Sequence, residues 1–375
     1  MTQNDERTLT TSRMALGFLK RLPREALDRL RECEEDTIRL VSEPQALNRA
    51  LAATGCRAVS DTEIDSALRI ALSEYERASR HSIDILTTWD RNYPRRLLET
   101  PDYPTVLFRY GDCDLNDGSF LSIVGTRRCT AYGDTFVRRT VKELSPMVSR
   151  LTIISGLAFG IDAAAHASAL EAGTPTVGVL AHGFGTIYPA QHRDLARAIR
   201  EHGGCLLTEY IWGERPYRPR FLERNRIVAG LGDAVLVAES AVKGGAMSTA
   251  NIAFSINRTL MALPGRISDE ESGGCNLLIA QQKAQLVTSP ADVAHHMGLD
   301  LAPAHQLPVL PLLFPEPEGE EKKIYEIISM SREPVQLDEL CARLHMPVAR
   351  LSALLGEMEF DGLVTRLPGN RYVTY

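Results

Sequence analysis

The residues of this chain with the clearest chemistry are cationic and hydroxyl side chains grouped around glycines. Gly125, Thr126 and Arg127 form the first such group, directly after a short apolar run. Glycine lets the backbone approach an anion closely, threonine offers a hydroxyl, and the guanidinium fork of arginine matches the oxygens of a phosphate. This loop therefore predicts a phosphate contact, with a surface ion pair of Arg127 as the alternative.

A second loop, residues 155–166, places Gly156 and Gly160 on either side of Phe159. A glycine loop that leads into a helix can bind an anion, because backbone N–H groups and the positive end of the helix dipole point at the ligand. We expect that helix to begin near Ile161. The ring of Phe159 either stacks on a nucleic-acid base or packs beneath the loop.

Asp162 and His166 lie four residues apart in the same segment and would share one face of the helix. We expect a structural hydrogen bond between them, with a catalytic acid–base pair as the alternative. A third loop, from His182 to Arg193, alternates glycine with aromatic residues. Arg193 is a candidate there for contacting a nucleic-acid backbone.

Arg224, Asn225 and Arg226 lie near the start of another predicted helix. Charged side chains are seldom buried without partners, so the two arginines are not expected to face the core together. This segment is therefore expected to present a cation to the ligand.

Lys243, Gly244, Ser248 and Thr249 form a second phosphate cradle at another strand-to-helix turn. No Lys-Ser/Thr pair follows the glycines at the spacing of a Walker A loop, so ATP hydrolysis is disfavoured. The 7 cysteines are scattered singly, without a Cys-x-x-Cys pair or histidines at ligand spacing. We predict no metal, no cofactor and no catalytic residue.

The elements that must position these loops are short apolar strands separated by helical patterns. Such an alternation predicts an α/β fold with a parallel, doubly wound sheet, in which ligands collect at the carboxyl ends of the strands. The predicted strands are Leu121–Val124, Leu151–Ile154, Thr176–Leu180, Cys205–Leu207, Ala234–Val237 and Thr259–Leu263.

Composition and periodicity divide the chain of 375 residues into several parts. A Ser60-x-x-Glu63 capping box precedes the clearest helical pattern near the N-terminus. Prolines concentrate shortly after the predicted sheet, which is typical of a stiff linker. The predicted parts are an N-terminal helical (SAM-like) domain, 1–80; a lead-in segment, 81–118; the sheet domain, 119–297; the linker, 298–319; and a C-terminal domain, 320–375.

The C-terminal domain shows three short amphipathic helices followed by two strands, which predicts a winged helix. The helix expected to act as its recognition helix contains Arg350 but also Glu357 and Glu359, with Asp361 just beyond. Such a surface suits a phosphate-lined groove poorly. Contact with a protein or a regulatory role is therefore preferred, and recognition of duplex DNA is the alternative.

The net charge is -6 and the chain is 44% hydrophobic, as in ordinary globular proteins. The polar N-terminus lacks a signal-peptide core, and no uncharged run is long enough to cross a bilayer. We expect a soluble cytoplasmic protein that does not engage a membrane. The negative net charge argues only weakly against a nucleic-acid partner, because a local cationic pocket can coexist with it.

In chain order, these loops closely resemble those of the DNA processing protein A family (DprA, also called Smf). The matching segments include G-T-R at Gly125, S-G-L-A-F-G-I-D-A-A-A-H at Ser155, Y-P at Tyr188, F-L-E-R-N-R-I-V-A-G-L at Phe221, K-G-G-A-M-S-T-A at Lys243 and A-L-P-G-R-I at Ala262. An ordered series of this kind over most of the sheet domain is highly specific.

The resemblance implies an extended Rossmann-like core that binds single-stranded DNA, with helical and winged-helix flanks. It also implies a homodimer that protects incoming DNA and helps to load the recombinase RecA during natural transformation and homologous recombination, without covalent chemistry. Arg127, Arg224, Arg226 and Lys243 would contact DNA phosphates, and Phe159 would be a candidate for base stacking.

Two other functions stay open. One is an enzyme like the nucleoside-monophosphate phosphoribohydrolases, although residues 246–251 lack the glutamate that follows the glycines in those enzymes. The other is a sensor that binds a free nucleotide and signals through the winged helix. A strand spans several cradles and a nucleotide fills one, so the dependence of affinity on oligonucleotide length separates these functions.

Overall fold

The computed structural model describes residues 2–19, 22–32, 36–53, 55–299, 319–331, 334–360, 363–367 and 369–374. The chain divides into a larger unit, Met1–Ala302, and a smaller unit, Pro303–Tyr375. Most of the predicted linker, 298–319, lies outside the described residues. Within them, no helix combines the length and the apolar character that crossing a bilayer requires.

The larger unit begins with a helical bundle. The predicted capping box is confirmed, since the Ser60 hydroxyl accepts from the N–H of Glu63 and the Glu63 carboxylate accepts from the N–H of Ser60. The helix that follows buries Ile64, Ala67 and Ala71 in the bundle core. The bundle helices are α1 (Gln3–Phe18), α2 (Arg24–Glu32), α3 (Thr37–Ser42), α4 (Pro44–Ala52) and α5 (Asp61–Arg80).

A nine-stranded sheet of the order β1-β2-β6-β5-β4-β3-β7-β8-β9 forms the centre of the described larger unit. Its strands are β1 (Asp84–Thr87), β2 (Val106–Gly111), β3 (Ser119–Val124), β4 (Leu151–Ser155), β5 (Thr176–Val179), β6 (Cys205–Thr208), β7 (Ala234–Val237), β8 (Thr259–Ala262) and β9 (Gln285–Leu286). The six predicted strands are confirmed as β3 to β8, which pair in parallel. The sequence indicates a strand within residues 104–111, where β2 lies, but sequence reasoning missed β1 and missed that both strands extend the sheet in antiparallel fashion.

Helices cover both faces of the sheet, as the continuous apolar strands predict. In β3, Phe120 and Val124 enter one core while Leu121 and Ile123 enter the other. α8 begins at Ile161, as predicted. The helices of this region are α6 (Arg95–Leu98), α7 (Ala131–Met147), α8 (Ile161–Glu171), α9 (Arg193–Glu201), α10 (Arg218–Leu231), α11 (Gly245–Ser255), α12 (Gly273–Ala280) and α13 (Pro290–His296).

The smaller unit is the predicted winged helix. Three helices pack around a core that includes Ile324, Leu340 and Leu351, beside a small sheet of the order β10-β12-β11. Arg350 of the last helix is engaged by Glu320 at 2.7 Å. The elements are α14 (Gly319–Ser329), β10 (Val335–Gln336), α15 (Leu337–Leu344), α16 (Val348–Phe360), β11 (Thr365–Leu367) and β12 (Arg371–Val373).

Candidate functional site

An open pocket of about 670 Å³ lies at the carboxyl ends of β3, β4 and β7. β3 has β4 on one side and β7 on the other, so the chain reverses its direction across the sheet here. Open α/β sheets bind ligands at such a switch point. The predicted site residues in its lining are Gly125, Thr126, Arg127, Gly156, Arg224, Asn225, Lys243, Gly244, Ser248 and Thr249.

The loop after β3 is held in place by backbone contacts. The N–H of Thr126 donates to the carbonyl of Glu239 at 2.7 Å, and the Thr126 carbonyl accepts from the N–H of Ile161 at 3.2 Å. A Cβ on Gly125 would lie 2.5 Å from the Ile161 side chain, and one on Gly160 would lie 2.3 Å from the Thr126 carbonyl oxygen. Glycine is therefore required at both positions, and the path of the loop is fixed.

Three exposed cations, Arg127, Arg218 and Lys243, line the pocket. Among the residues that the structure describes, no Asp or Glu oxygen lies within ion-pair distance of Arg127, Arg218 or Lys243. Arg128, next in sequence, differs because it pairs with Glu271 at 3.0 Å. The three cations are thus available to an anionic ligand without first breaking an ion pair.

Arg224 forms the floor of the pocket. It is 5% exposed, and its Nη1 donates to the carbonyl of Gly156 at 2.7 Å and to that of Val179. A Cβ on Gly156 would lie 2.6 Å from the guanidinium. Burial lowers the pKa of Arg224, and the nearby carboxylate of Asp162 opposes that shift. Since arginine stays protonated in proteins, the floor carries a fixed positive charge.

The expected hydrogen bond between Asp162 and His166 was wrong. Asp162 instead accepts from the N–H groups of Gly156 at 3.1 Å and Ala158 at 3.3 Å, and these hydrogen bonds hold the second loop in place. Burial raises the pKa of Asp162. The His166 Nδ1–H donates to the Thr176 hydroxyl at 2.7 Å, because that hydroxyl gives its own hydrogen to a strand carbonyl. Burial lowers the pKa of His166 to about 3, so the imidazole is neutral.

Arg226 lies outside the pocket lining, in an ion pair. Its guanidinium donates two hydrogen bonds of 2.7 Å to Glu209 and one of 3.0 Å to Asp102. Burial alone would lower the pKa of Arg226, but the hydrogen bonds to Glu209 and the negative charges of Glu209 and Asp102 together raise it. Arg224 is buried and Arg226 is half-buried, so the two arginines do not face the core together, as expected. The Arg226 side chain is only 16% exposed, because the fold supplies acceptors for both arginines.

The start of α11 reaches the pocket. Gly244 is the N-cap residue and offers no side chain to the first N–H groups of the helix. The N–H of Met247 donates to the Gly244 carbonyl at 3.2 Å. The N–H groups of Gly245 and Ala246 precede it and have no carbonyl one turn earlier in the helix, so an anion can accept their hydrogen bonds. Lys243, Ser248 and Thr249 line the pocket beside them. The arrangement can bind a phosphate through both backbone and side chains.

Phe159 and Arg193 lie beside the pocket rather than in its lining. Phe159 is 40% exposed and meets the His192 ring edge-on, with centroids 4.9 Å apart. The Nδ1–H of His192 donates to the Leu157 carbonyl at 2.9 Å. Arg193 is exposed at the start of α9. A ligand longer than the pocket would have polar and aromatic surface to follow here.

One side of the pocket received no role from sequence reasoning. We call it the pocket wall and define it as Tyr188, Arg218, Phe221 and Leu222. The rings of Tyr188 and Phe221 meet edge-on, with centroids 5.7 Å apart, and the Arg127 guanidinium stands 5.4 Å from the centre of the Phe221 ring. The sequence does contain a pattern that indicates this wall. Arginine, proline and aromatic residues alternate from Arg215 to Phe221, as on surfaces that bind single-stranded nucleic acids.

Comparison with known proteins connects this architecture to one family. The family model of the DNA recombination-mediator protein A matches residues 84–298, and that of the DprA winged helix domain matches residues 311–370. Protein Smf of Escherichia coli (strain K12) is 34% identical over 281 residues, which cover 74% of this chain and 74% of that protein. The DNA processing protein DprA of Streptococcus pneumoniae (strain ATCC BAA-255 / R6) is 40% identical over 205 residues, which cover 54% of this chain and 71% of that protein.

Two solved structures are also similar. The X-ray structure of DNA processing protein A from Streptococcus pneumoniae superposes with a TM-score of 0.62 at 31% identity, covering 79% of this chain and 98% of that one. The structure of DNA processing protein A from Helicobacter pylori, described for its unique single-stranded DNA binding mode, superposes with a TM-score of 0.52 at 30% identity. The match covers 58% of this chain and 96% of that one. The sheet and the surrounding helices are therefore shared with proteins of known structure.

Proposed function

Because this chain belongs to the DNA recombination-mediator protein A family (DprA/Smf), we propose that it binds single-stranded DNA in the pocket at the switch point of its sheet. The observation that carries this proposal is the set of unpaired cations in the described pocket lining, Arg127, Arg218 and Lys243. They surround a fixed cationic floor and an open helix N-terminus, which together suit a chain of phosphates.

The phosphates of the strand supply most of the attraction in this proposal. Each phosphate that Lys or Arg neutralises releases condensed counterions, which makes the affinity strongly dependent on salt. The net charge of -6 does not oppose it, since charges more than about 10 Å away are largely screened at 0.1 M salt. We assign Arg226 a structural role, because Glu209 and Asp102 already engage its guanidinium.

Aromatic residues add contacts to the bases. Tyr188 and Phe221 in the pocket wall present aromatic rings to a base in the pocket. The partly exposed Phe159 presents another ring beside the pocket. Stacking contributes about 1–3 kcal/mol per base and accepts every base. We therefore propose binding that tolerates any DNA sequence.

Family membership also supports a wider role. We propose that the protein acts as a homodimer which protects incoming DNA and helps to load RecA in natural transformation and homologous recombination. Light scattering would measure the mass of the assembly. Growth of RecA filaments on single-stranded DNA, with and without the protein, would test the loading role, and an unchanged rate would count against it.

We propose that the pocket performs no covalent chemistry. Asp162 is the only carboxylate in the pocket lining among the described residues, and it already accepts two backbone hydrogen bonds. It is therefore poorly placed to act as a free general base. Chromatography after incubation with nucleoside monophosphates would test this proposal, and release of a free base would support the phosphoribohydrolase alternative.

Fluorescence anisotropy with labelled oligonucleotides tests the main proposal. Single strands and duplexes of matched length should be titrated across a salt series. We expect preference for the single strand, affinity that rises with strand length, and steep weakening with salt. Affinity independent of length would instead support a sensor of free nucleotides, and no binding at low salt would contradict the proposed function.

A further inference from the structure

Helix α5 of the N-terminal bundle reaches a loop that leads into the pocket wall. Glu74 on α5 is 6% exposed, and its Oε2 accepts the backbone N–H of Trp212 at 2.8 Å. His81, just after α5, stacks on the Trp212 ring with centroids 4.3 Å apart. Trp212 belongs to the loop 209–217 between β6 and α10. We call Glu74, His81 and Trp212 the latch.

The latched loop packs tightly against the loop that follows β5. The N–H of Gly183 donates to the Glu214 carbonyl at 2.9 Å, and that of Gly185 donates to the Trp212 carbonyl at 3.0 Å. A Cβ on Gly183 would lie 1.9 Å from the carbonyl oxygen of Ile211. Because backbone hydrogen bonds join the two loops and leave no room for a side chain at Gly183, the loops are constrained to move together.

Both loops end at the pocket wall. Tyr188 lies three residues after Gly185, and Arg218 directly follows the loop 209–217. Tyr210, near the start of that loop, donates to Glu223 of α10 at 2.9 Å and so ties the loop to the helix that carries the rest of the wall. The latch residues themselves are absent from the described pocket lining. Their influence on a ligand must therefore pass through the position of the wall.

We propose that α5 is a positioning element of the DNA pocket, and that its latch sets the place of Tyr188 and Arg218. This inference rests on the proposed function, because its readout is affinity for DNA. Removing the Glu74 carboxylate would leave the Trp212 N–H without its acceptor and free both loops to shift. Packed networks of this kind change the affinity of a distant site by about twofold to thirtyfold.

The decisive comparison is between Glu74→Ala and Glu74→Gln in the full chain, by anisotropy with a single-stranded oligonucleotide. Both variants remove a negative charge, but only glutamine keeps an oxygen that can accept from Trp212. We expect binding about tenfold weaker for alanine and close to the parent's for glutamine. His81→Ala removes only the stack from an exposed position, so it provides a second variant, with binding about threefold weaker, should Glu74→Ala fail to fold.

Leu47→Ala is the matched control for stability. Leu47 is fully buried in the same helical core, so its truncation should lower the melting temperature while DNA affinity stays parental. A double-mutant cycle with Arg218→Ala adds a test of mechanism. Because the latch acts through the wall, the losses from Glu74→Ala and Arg218→Ala should combine to less than their sum.

Three results would overturn the latch: parental affinity of Glu74→Ala and His81→Ala, fully additive losses in the cycle, or an equal loss of affinity in Leu47→Ala. In each of them the parent protein still binds the oligonucleotide, so the proposed function survives. A parent that does not bind would contradict the proposed function itself, and the latch with it.

Discussion

Arg127→Ala is the sharpest test of phosphate binding at the pocket. The side chain is exposed, stands 5.4 Å from the centre of the Phe221 ring and has no carboxylate partner among the described residues. A hydrogen bond to a charged group contributes about 1.5–3 kcal/mol, which corresponds to about 10- to 150-fold in affinity. We expect the affinity for a single-stranded oligonucleotide to fall by that factor.

The dependence on salt distinguishes a phosphate contact from packing. Each neutralised phosphate of a single strand contributes about 0.7 to the slope of log affinity against log salt concentration. Arg127→Ala should therefore flatten the slope by about 0.7. Arg127→Lys keeps the charge but lacks the planar fork, so its slope should stay parental while its affinity falls partway. Anisotropy titrations across a salt series measure both quantities.

Arg128→Ala is the matched control, because it removes the same side chain one residue later. Arg128 is 79% exposed, pairs with Glu271 at 3.0 Å and does not line the described pocket. We expect parental affinity and slope from Arg128→Ala. Arg127→Ala should keep a melting temperature near the parent's, since its exposed side chain holds no buried carboxylate. Arg128→Ala should lower the melting temperature, because Glu271, whose side chain is 16% exposed, loses its partner. Parental binding by Arg127→Ala, or an equal loss in Arg128→Ala, would refute the reasoning.

Three further predictions concern groups that hold the pocket in place. Arg226→Ala leaves Glu209 without its partner, so the free energy of unfolding in urea should fall by about 3 kcal/mol; an unchanged value would contradict the structural role. Gly156→Ala should displace Arg224, whose guanidinium lies 2.6 Å from the added Cβ, and should lower both the melting temperature and the DNA affinity. If both stay parental, the guanidinium does not pack against Gly156 as closely as the structure shows. Stability should fall as the pH drops from 6.5 towards 3, because unfolded His166 binds a proton that the folded side chain, with a pKa of about 3, does not. The loss approaches about 1.4 kcal/mol per pH unit, and an equally steep pH dependence of stability in His166→Asn would rule this explanation out.

The strands that position the pocket could be predicted because their apolar pattern is local. The run Ala234–Val237 is buried on both faces and matches β7 residue for residue. The lead-in strands could not be assigned to the sheet in the same way. β2 joins it by placing Phe108 opposite Thr208, and no local pattern carries a pairing between residues so far apart in sequence.

In the candidate site too, features set by neighbouring residues could be predicted, and contacts between residues far apart in sequence could not. Residues two apart on a helix point in nearly opposite directions, so Arg224 and Arg226 do lie on different sides of α10. The sequence did not show that both sides of the helix are covered, which leaves neither arginine freely exposed. Arg226 meets Glu209 and Asp102, and Arg224 meets the carbonyls of two separate loops. The spacing of the two arginines can be read from the sequence. The hydrogen-bond acceptors that the fold places beside them cannot, because they come from distant parts of the chain.

The positive charges of the pocket divide into a fixed floor and an available rim, and we define the rim as Arg127, Arg218 and Lys243. The floor arginine, Arg224, is buried and hydrogen-bonded, so it needs no reorganisation when a ligand arrives. The rim cations are exposed and free of described carboxylate partners, so they attract phosphates over about a Debye length. Because the rim supplies charge rather than contacts to base edges, we expect affinity to depend on how many phosphates it reaches and little on base identity. The salt slope therefore reports how this pocket works more directly than any single dissociation constant.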